Sequence, residues 1–378
     1  MRIGCPREIK PDEHRVGLTP EAVAALTADG HRVLIESGAG LGVGATDEDY
    51  RAAGAEIAAD AATLFAAADL VVKVKEPLAE ERSLLREGQV LFAYLHLAAD
   101  RAQTDDLLAS GAVAIAYETV TEPAGGLPLL RPMSVVAGRL AAQAGAMALQ
   151  KERGGRGVLL GGAPGAAPGE VLVIGGGVVG LNAAQMALGL GARATLLDRN
   201  PAALERARAA LRGRAVAEGS FTAAPVGPSG GVVEAAADAD LIIGAVLVPG
   251  AKAPKLLSRE MLSQLRPGAA LVDVAIDQGG CFETSRPTTH RDPTYLVDGI
   301  VHYCVANMPG AVARTATYAL VDATLPHVKA LAALGWREAL RRDAHLAAGL
   351  NVSAGRVICP PVAEAFGLEA APLSAALA

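Results

Sequence analysis

The sequence predicts an α/β protein of two domains, in which a doubly wound parallel sheet is inserted into a second α/β domain. Three observations lead to this prediction. Candidate strands and helices alternate over the first 130 residues, which indicates a largely parallel sheet. A second series of strands starts at residue 171, with an apolar run that leads into a glycine-rich turn. The chain has 378 residues, more than one hydrophobic core usually serves.

The glycine-rich turn predicts a dinucleotide site. Gly175, Gly177 and Gly180 fit the G-x-G-x-x-G pattern between an apolar strand and an amphipathic helix. The first glycine permits a tight turn, the second lets a pyrophosphate approach the backbone, and the third lets the helix pack on the sheet. The helix N-terminus offers N–H groups to the phosphates. Asp198 ends the second strand at about the 20-residue distance expected of an acid that binds the adenosine ribose. Together these features predict a Rossmann-type domain.

The first 130 residues supply the elements of the other domain. A glycine-rich stretch at 38–44 also follows a strand, but polar residues follow it, so we interpret it as a flexible loop. Helices are predicted to start near Thr19, Thr46, Thr63 and Asp100. The predicted strands are residues 2–5, 32–36, 70–74, 90–94 and 112–116.

Further strands at 240–245, 270–274 and 300–305 complete the nucleotide-binding sheet. Asp277 and Asn307 follow the last two, so they should lie at the same sheet edge as the glycines. From Arg314 the pattern is mostly helical, with no new sheet, which indicates that the chain returns to the first domain. We therefore predict a substrate domain of residues 1–130 and 308–378, and an NAD-binding domain of residues 131–307.

Composition excludes several classes of protein. A formal net charge of −6 argues against a nucleic-acid partner, and the basic group Arg206, Arg208, Arg212 and Arg214 reads as a solvated helix face. No apolar run approaches the roughly 18 residues of a membrane span, and residues 1–8 lack the apolar core of a signal peptide, so a soluble cytoplasmic protein is expected.

The four cysteines at positions 5, 281, 304 and 359 form no C-x-x-C pair. Their spacing indicates neither a zinc site nor a disulfide framework, and no other metal site is predicted. We expect reduced and mostly buried thiols.

The chain resembles the alanine dehydrogenases in seven separated motifs that follow the order of that family from residue 1 to about residue 340. The motifs are GCPREIK at 4–10, EHRVGLTP at 13–20, KVKEP at 73–77, YLHLA at 94–98, RPMSVVAGR at 131–139, GAVLVPGAKAP at 244–254 and DVAIDQGGCFE at 273–283. The resemblance implies reversible oxidative deamination of L-alanine to pyruvate and ammonium with NAD, in a homohexamer of two-domain subunits.

Oxidation of an amino acid needs cations for its carboxylate, and Arg15 and Lys75 can supply them. The resemblance places both on the substrate. In isolation, Arg15 would be read as an exposed surface residue. Lys73 lies two residues from Lys75 and is the alternative if the assignment has slipped by one repeat of the strand.

The reaction also needs a group that moves protons, and His96 follows a predicted strand. Histidine is the residue type suited to this role, because an ordinary imidazole changes charge near neutral pH. Asp277 is the second candidate, because it can orient or deprotonate a water molecule, although a loop-capping aspartate is its simpler interpretation. The division of work between the two stays open. The other six histidines are interpreted as structural.

The resemblance also implies cofactor contacts outside the glycine motif. Ser134 could instead be a plain N-cap of a predicted helix at 135–150. Arg199 raises the question of a 2′-phosphate, which Asp198 should repel, so NAD is preferred to NADP. The implied contacts are Ser134, Val178, Val179, Ser220, Val246, Leu247, Arg286 and Asn307.

Two rival functions remain. One is a transhydrogenase nucleotide-binding subunit, which binds NAD without handling an amino acid and need not carry Arg15, Lys75, His96 and Asp277 together. The other is a saccharopine or opine-type dehydrogenase for a larger amino acid. Pocket volume would separate that enzyme from one for alanine.

Overall fold

The computed structural model describes residues 1–213, 220–226, 231–246 and 253–378. It divides into two compact units, one of Met1–Met133 with Val312–Ala378 and one of Ser134–Ala311. Each unit is a layered α/β structure with a mainly parallel sheet. The predicted fold class, with the second unit inserted into the first, is confirmed.

The described residues form the following strands and helices. The strands are β1 Arg2–Cys5, β2 Arg32–Glu36, β3 Glu56–Ala58, β4 Leu70–Val72, β5 Val90–Ala93, β6 Val113–Ala116, β7 Glu170–Ile174, β8 Arg193–Asp198, β9 Phe221–Pro225, β10 Leu241–Gly244, β11 Ala270–Asp273, β12 Thr294–Val297, β13 Ile300–Tyr303, β14 Leu350–Ser353 and β15 Arg356–Val357. The helices are α1 Pro20–Ala28, α2 Asp47–Ala52, α3 Ala61–Ala67, α4 Ala79–Arg82, α5 Arg101–Ser110, α6 Arg131–Ala148, α7 Val178–Gly189, α8 Pro201–Leu211, α9 Val232–Ala237, α10 Ala313–Leu334, α11 Trp336–Arg342, α12 Ala344–Ala347, α13 Pro360–Phe366 and α14 Leu373–Leu377.

The sheet of the first unit has the order β15-β14-β6-β5-β4-β1-β2-β3. Its strands β1 to β6 pair in parallel, and the carboxyl ends of β4 and β5 lead toward Lys75 and His96. Three predicted helix starts coincide with N-cap residues. The side chains of Thr19, Thr46 and Asp100 each accept a hydrogen bond from a backbone N–H in the first turn of the helix that follows.

Two features of this sheet differ from the prediction. The C-terminal segment is not wholly helical, because β14 and β15 form a short antiparallel pair that extends the existing sheet beside β6. Strand β3 was also missed. These strands have two to four residues, too few for a period-2 pattern to stand out, and their pairing with a preformed sheet edge supplies the backbone hydrogen bonds. The stretch 38–44 forms a 3-10 turn at Leu41–Val43.

The sheet of the second unit has the order β12-β13-β11-β10-β7-β8-β9, with β12 alone antiparallel among these strands. Read from β9, this is the 3-2-1-4-5-6 order of a dinucleotide-binding sheet with one added edge strand. Alternate residues of β7 enter different apolar clusters, Val171 and Val173 on one face and Leu172 and Ile174 on the other. Both faces are therefore covered, as a parallel sheet requires. The strand order reverses between β7 and β10, where such sheets bind ligands.

All four cysteines are buried free thiols, as predicted. Among the described residues, no helix is long and apolar enough to cross a membrane.

Candidate active site

His96 lies three residues beyond β5, on the surface of the first unit. Its backbone adopts the left-handed conformation, with φ of 51° and ψ of 37°. Such a conformation costs a non-glycine residue about 1–3 kcal/mol and occurs often at functional sites. The imidazole is 47% exposed and stacks on Tyr94, with ring centroids 6.0 Å apart and planes at 7°. The ring is thus open to solvent and supported on one face.

Glu118 holds the backbone of this turn. Its Oε1 accepts a hydrogen bond from the N–H of His96 at 2.6 Å, and both of its oxygens lie 3.2 Å from the N–H of Leu95. The imidazole Nδ1 lies 3.9 Å from Oε1, within ion-pair range of the carboxylate. Glu118 therefore stabilises a backbone conformation that His96 would otherwise avoid.

Arg15 is 2% exposed, so the interpretation of a surface arginine is wrong. Its Nε and Nη2 donate to the Glu13 carboxylate at 2.7 and 2.6 Å, and its Nη1 lies 3.0 Å from the Met133 sulfur. Burial opposes the positive charge, but the contact with Glu13 outweighs it and raises the pKa of the guanidinium. The side chain is therefore a permanently charged group in a fixed orientation.

Lys75 and Lys73 have different surroundings. Lys75 is half-buried, and its backbone N–H lies 3.3 Å from Glu8 Oε1. Lys73 is fully buried, with its Nζ 2.6 Å from Glu81 Oε1 and 3.3 Å from Glu8 Oε2. Burial disfavours the Lys73 charge, yet the two carboxylates raise its pKa. Lys73 serves this ion-pair cluster, which favours Lys75 as the substrate cation.

The glycine turn of the second unit leaves space at the N-terminus of α7. Gly175 has φ of 111°, and a Cβ there would lie 2.5 Å from the carbonyl oxygen of Ala245. A Cβ on Gly180 would lie 1.7 Å from the carbonyl oxygen of Gly175, whereas one on Gly177 would meet nothing within 4 Å. Gly177 is the N-cap of α7 and no side chain caps the helix there. This open helix terminus has the geometry that a pyrophosphate needs.

Asp198 lies at the end of β8, beside this turn. Its Oδ2 accepts the N–H of Gly176 at 2.5 Å and its Oδ1 accepts the N–H of Asn200 at 2.7 Å. A carboxylate has about four lone-pair sites, so Asp198 keeps acceptor capacity for ribose hydroxyls. Ser220 is buried, and its Oγ has no hydrogen-bond partner among the described residues. The turn, the acid and this hydroxyl fit a dinucleotide.

Asp277 and Asn307 both follow strands of the second sheet, at the same edge as the glycine turn. Asp277 is exposed at the centre of a 3-10 turn, Ile276–Gln278, that follows β11. Asn307 follows β13 with φ of 60°. Arg286 is exposed, and its guanidinium carbon lies 4.1 Å from the centroid of the Tyr295 ring.

The remaining predicted cofactor residues are distributed as follows. Val178 and Val179 open α7, and Val246 lies two residues beyond β10. Ser134 is the fourth residue of α6, so its interpretation as an N-cap is wrong. The helix starts earlier, and Pro132 fits its first turn because the N–H that proline lacks would have no acceptor there. Leu247 and Arg214 lie outside the described residues.

Comparison with known proteins identifies the family. The model "Alanine dehydrogenase/PNT, N-terminal domain" matches residues 4–137, and "Alanine dehydrogenase/PNT, C-terminal domain" matches residues 141–360. The chain belongs to the alanine dehydrogenase/PNT family. An alanine dehydrogenase of Halomonas elongata is 59% identical over 98% of both chains. One of Mycolicibacterium smegmatis is 52% identical over 97% of both.

Solved structures agree with this membership of the alanine dehydrogenase/PNT family. An L-alanine dehydrogenase superposes with a TM-score of 0.92 at 50% identity, covering 97% of this chain and 99% of the other. A transhydrogenase from Sinorhizobium meliloti superposes with a TM-score of 0.81 at 26% identity, covering 95% and 100%. The chain is therefore much more similar to this L-alanine dehydrogenase than to this transhydrogenase.

Sequence reasoning missed the carboxylates that hold the predicted site residues of this family member. Glu13 lies in the same motif as Arg15, and a buried arginine signals such a partner. Glu8 lies in the motif at 4–10 and accepts the backbone N–H of Lys75 from 67 residues away. Glu118 and Asp273 contact their targets from 22 and 8 residues away along the chain respectively. No local spacing signals the first of these contacts.

Proposed function

We propose that this chain catalyses the reversible oxidative deamination of L-alanine. L-Alanine, NAD and water give pyruvate, ammonium, NADH and a proton. The observation that carries the proposal is the 59% identity to an alanine dehydrogenase over 98% of both chains. The presence of Arg15, Lys75, His96 and Asp277 supports it, because these residue types meet the chemical needs of the reaction.

The first unit is the substrate domain in this proposal. Arg15 and Lys75 bind the carboxylate of alanine or pyruvate, and the Glu13 contact keeps the guanidinium oriented before the substrate arrives. His96 takes a proton from the substrate ammonium, or from the water that attacks the imine, and returns it in the reverse reaction. Its exposure gives that proton a route to solvent.

The second unit is the NAD-binding domain. The N-terminus of α7 binds the pyrophosphate at Gly177, and Asp198 binds the ribose hydroxyls. When bound, NAD accepts a hydride from the α-carbon of the amino acid. Asp277 orients or deprotonates the water that hydrolyses the imine. The other proposed cofactor contacts are Ser134, Val178, Val179, Ser220, Val246, Leu247, Arg286 and Asn307. We place the domain boundaries near residues 130 and 308.

Steady-state kinetics test the proposal. NADH formation is measured with L-alanine beside lysine, leucine and glutamate, and NADH consumption with pyruvate and ammonium beside lysine with 2-oxoglutarate. We expect alanine and pyruvate to give the highest kcat/KM. Turnover with a larger amino acid alone would identify the saccharopine or opine type of enzyme instead. NADH binding without any amino-acid turnover would favour a transhydrogenase-like role.

We further propose that six copies assemble, as the family resemblance implies. Large apolar side chains on the second unit support self-association, since Leu159, Leu296 and Met147 are 71%, 57% and 53% exposed. Sedimentation equilibrium should give six times the 38.2 kDa chain mass. We also propose a cytoplasmic location, which the four free thiols support. Cell fractionation tests it.

A further inference from the structure

The loop that carries Asp277, residues 275–283, is held from one side by a buried carboxylate. Asp273, at the end of β11, is fully buried. Its Oδ1 accepts the N–H of Ala275 at 3.0 Å, and its Oδ2 accepts the N–H of Cys281 at 2.8 Å and the hydroxyl of Ser285. One carboxylate therefore ties both ends of the loop to the strand.

A lysine holds the same loop from the other side. The Nζ of Lys255 donates to the carbonyl oxygens of Gly279, Gly280 and Phe282 at 2.7, 2.8 and 3.1 Å. All three donors of the ammonium group are used on the backbone of one loop. The residue after Lys255 also bonds to this loop, since the N–H of Leu256 donates to the carbonyl oxygen of Cys281 at 2.7 Å.

Two glycines of this arrangement, Gly280 and Gly244, have no room for a side chain. A Cβ on Gly280 would lie 2.7 Å from Asp273 Oδ2, and that glycine has φ of 74°. A Cβ on Gly244 would lie 2.1 Å from the Cys281 sulfur. The loop is therefore closely packed against β10 and β11, and its backbone polar groups are bound on both sides. Asp277 itself remains exposed.

We propose that Lys255 and Asp273 are positioning residues that fix the Asp277 carboxylate for its work on water. This inference rests on the proposed function. A rigid loop keeps an exposed carboxylate in one place, and a displacement of about 1 Å at a reacting group can cost roughly 100-fold in rate. Without the lysine, the three carbonyl groups would turn to solvent and the loop would gain conformational freedom.

Lys255→Met is the main test, because Lys255 is exposed and its loss should not prevent folding. We expect kcat for alanine to fall about 10- to 100-fold, with KM for alanine and the Kd of NADH within about twofold of wild type. Lys255→Arg should recover most of the rate, because arginine also donates to carbonyl groups. Lys329→Met is the matched control, since Lys329 pairs with Asp29 at 2.8 Å in the first unit. It should leave kcat unchanged. Asp273→Asn should lower kcat in the same way.

A double-mutant cycle separates positioning from a general structural effect. If Lys255 acts through Asp277, Lys255→Met should change kcat by less than about threefold in an Asp277→Asn background. An equal fold-change in both backgrounds, or wild-type kcat in Lys255→Met, would overturn the proposal.

Hydrogen exchange gives a readout that does not depend on turnover. The N–H groups of Gln278, Gly279 and Gly280 are hydrogen-bonded within the loop. They should exchange at least about tenfold faster in Lys255→Met than in Lys329→Met. Unchanged exchange would refute the positioning role even if alanine is the substrate. Faster exchange in a protein that does not oxidise alanine would refute the proposed function and leave the loop assignment intact.

Discussion

Three glycines near and within α7 allow the proposed dinucleotide site to be tested by adding one methyl group at a time. Gly177→Ala places a Cβ where the protein has no atom within 4 Å, at φ of −73°, which alanine adopts readily. The methyl group would occupy the space assigned to the pyrophosphate. We expect the Kd of NADH to rise at least tenfold, or about 1.4 kcal/mol. The unfolding free energy should fall by at most about 1 kcal/mol, since alanine is a poorer N-cap than glycine.

Gly180→Ala should lower the unfolding free energy more than Gly177→Ala does. Its Cβ would lie 1.7 Å from the carbonyl oxygen of Gly175, whereas real Cβ atoms stay beyond 3.0 Å, so the helix must move by about 1.3 Å. Overpacking of this kind costs about 1–3 kcal/mol. For a unit of this size, each kcal/mol lowers Tm by about 2–4 °C. NADH binding should weaken as well, because the turn itself is displaced.

Gly189→Ala is the matched control in the same helix. A Cβ there meets nothing within 4 Å, and replacing a helical glycine with alanine stabilises by about 0.5–1 kcal/mol. Calorimetry and NADH fluorescence titration measure all three variants. If Gly177→Ala binds NADH within threefold of wild type, the phosphates do not approach this turn and the assignment of the site is wrong.

Other predictions concern single side chains. Asp198→Ala should reduce the preference for NAD over NADP by more than about tenfold, because a charge-assisted hydrogen-bond pair is lost; a wild-type enzyme that uses both cofactors equally contradicts this. His96→Ala should lower kcat by about 10²–10⁴ and leave the Kd of NADH unchanged; an active variant would assign proton transfer to Asp277. Deamination should quicken as pH rises, because the substrate ammonium must lose a proton, and reductive amination should have its optimum at lower pH; initial rates in both directions across a pH series decide this. Burial lowers the pKa of His302 below 6.5, so near that pH the unfolded chain binds more protons than the folded one, and stability decreases as the pH is lowered. The Tm of His302→Gln should therefore decline less than that of wild type between pH 7 and 5.

Much of this protein could be predicted from residue spacing, since the features concerned are local. The strand, the three glycines, the helix and Asp198 lie within one βαβ segment, and the close approach that requires Gly180 is to the carbonyl oxygen of Gly175, five residues earlier. The helix starts at Thr19, Thr46 and Asp100 depend on contacts three residues away. Capping rules apply at this range, and these three helix starts are confirmed.

Tertiary structure alone decided how the proposed site residues are held. Glu118 supports the strained backbone of His96 across 22 residues, and Glu8 accepts the backbone N–H of Lys75 across 67. Strand β14 completes a sheet begun more than 300 residues earlier. A buried charge or an unpaired strand edge needs a partner, and the sequence can indicate that such a partner is required. The identity of the partner depends on which loops the sheet order brings together. The spacing of residues along the chain does not determine that order.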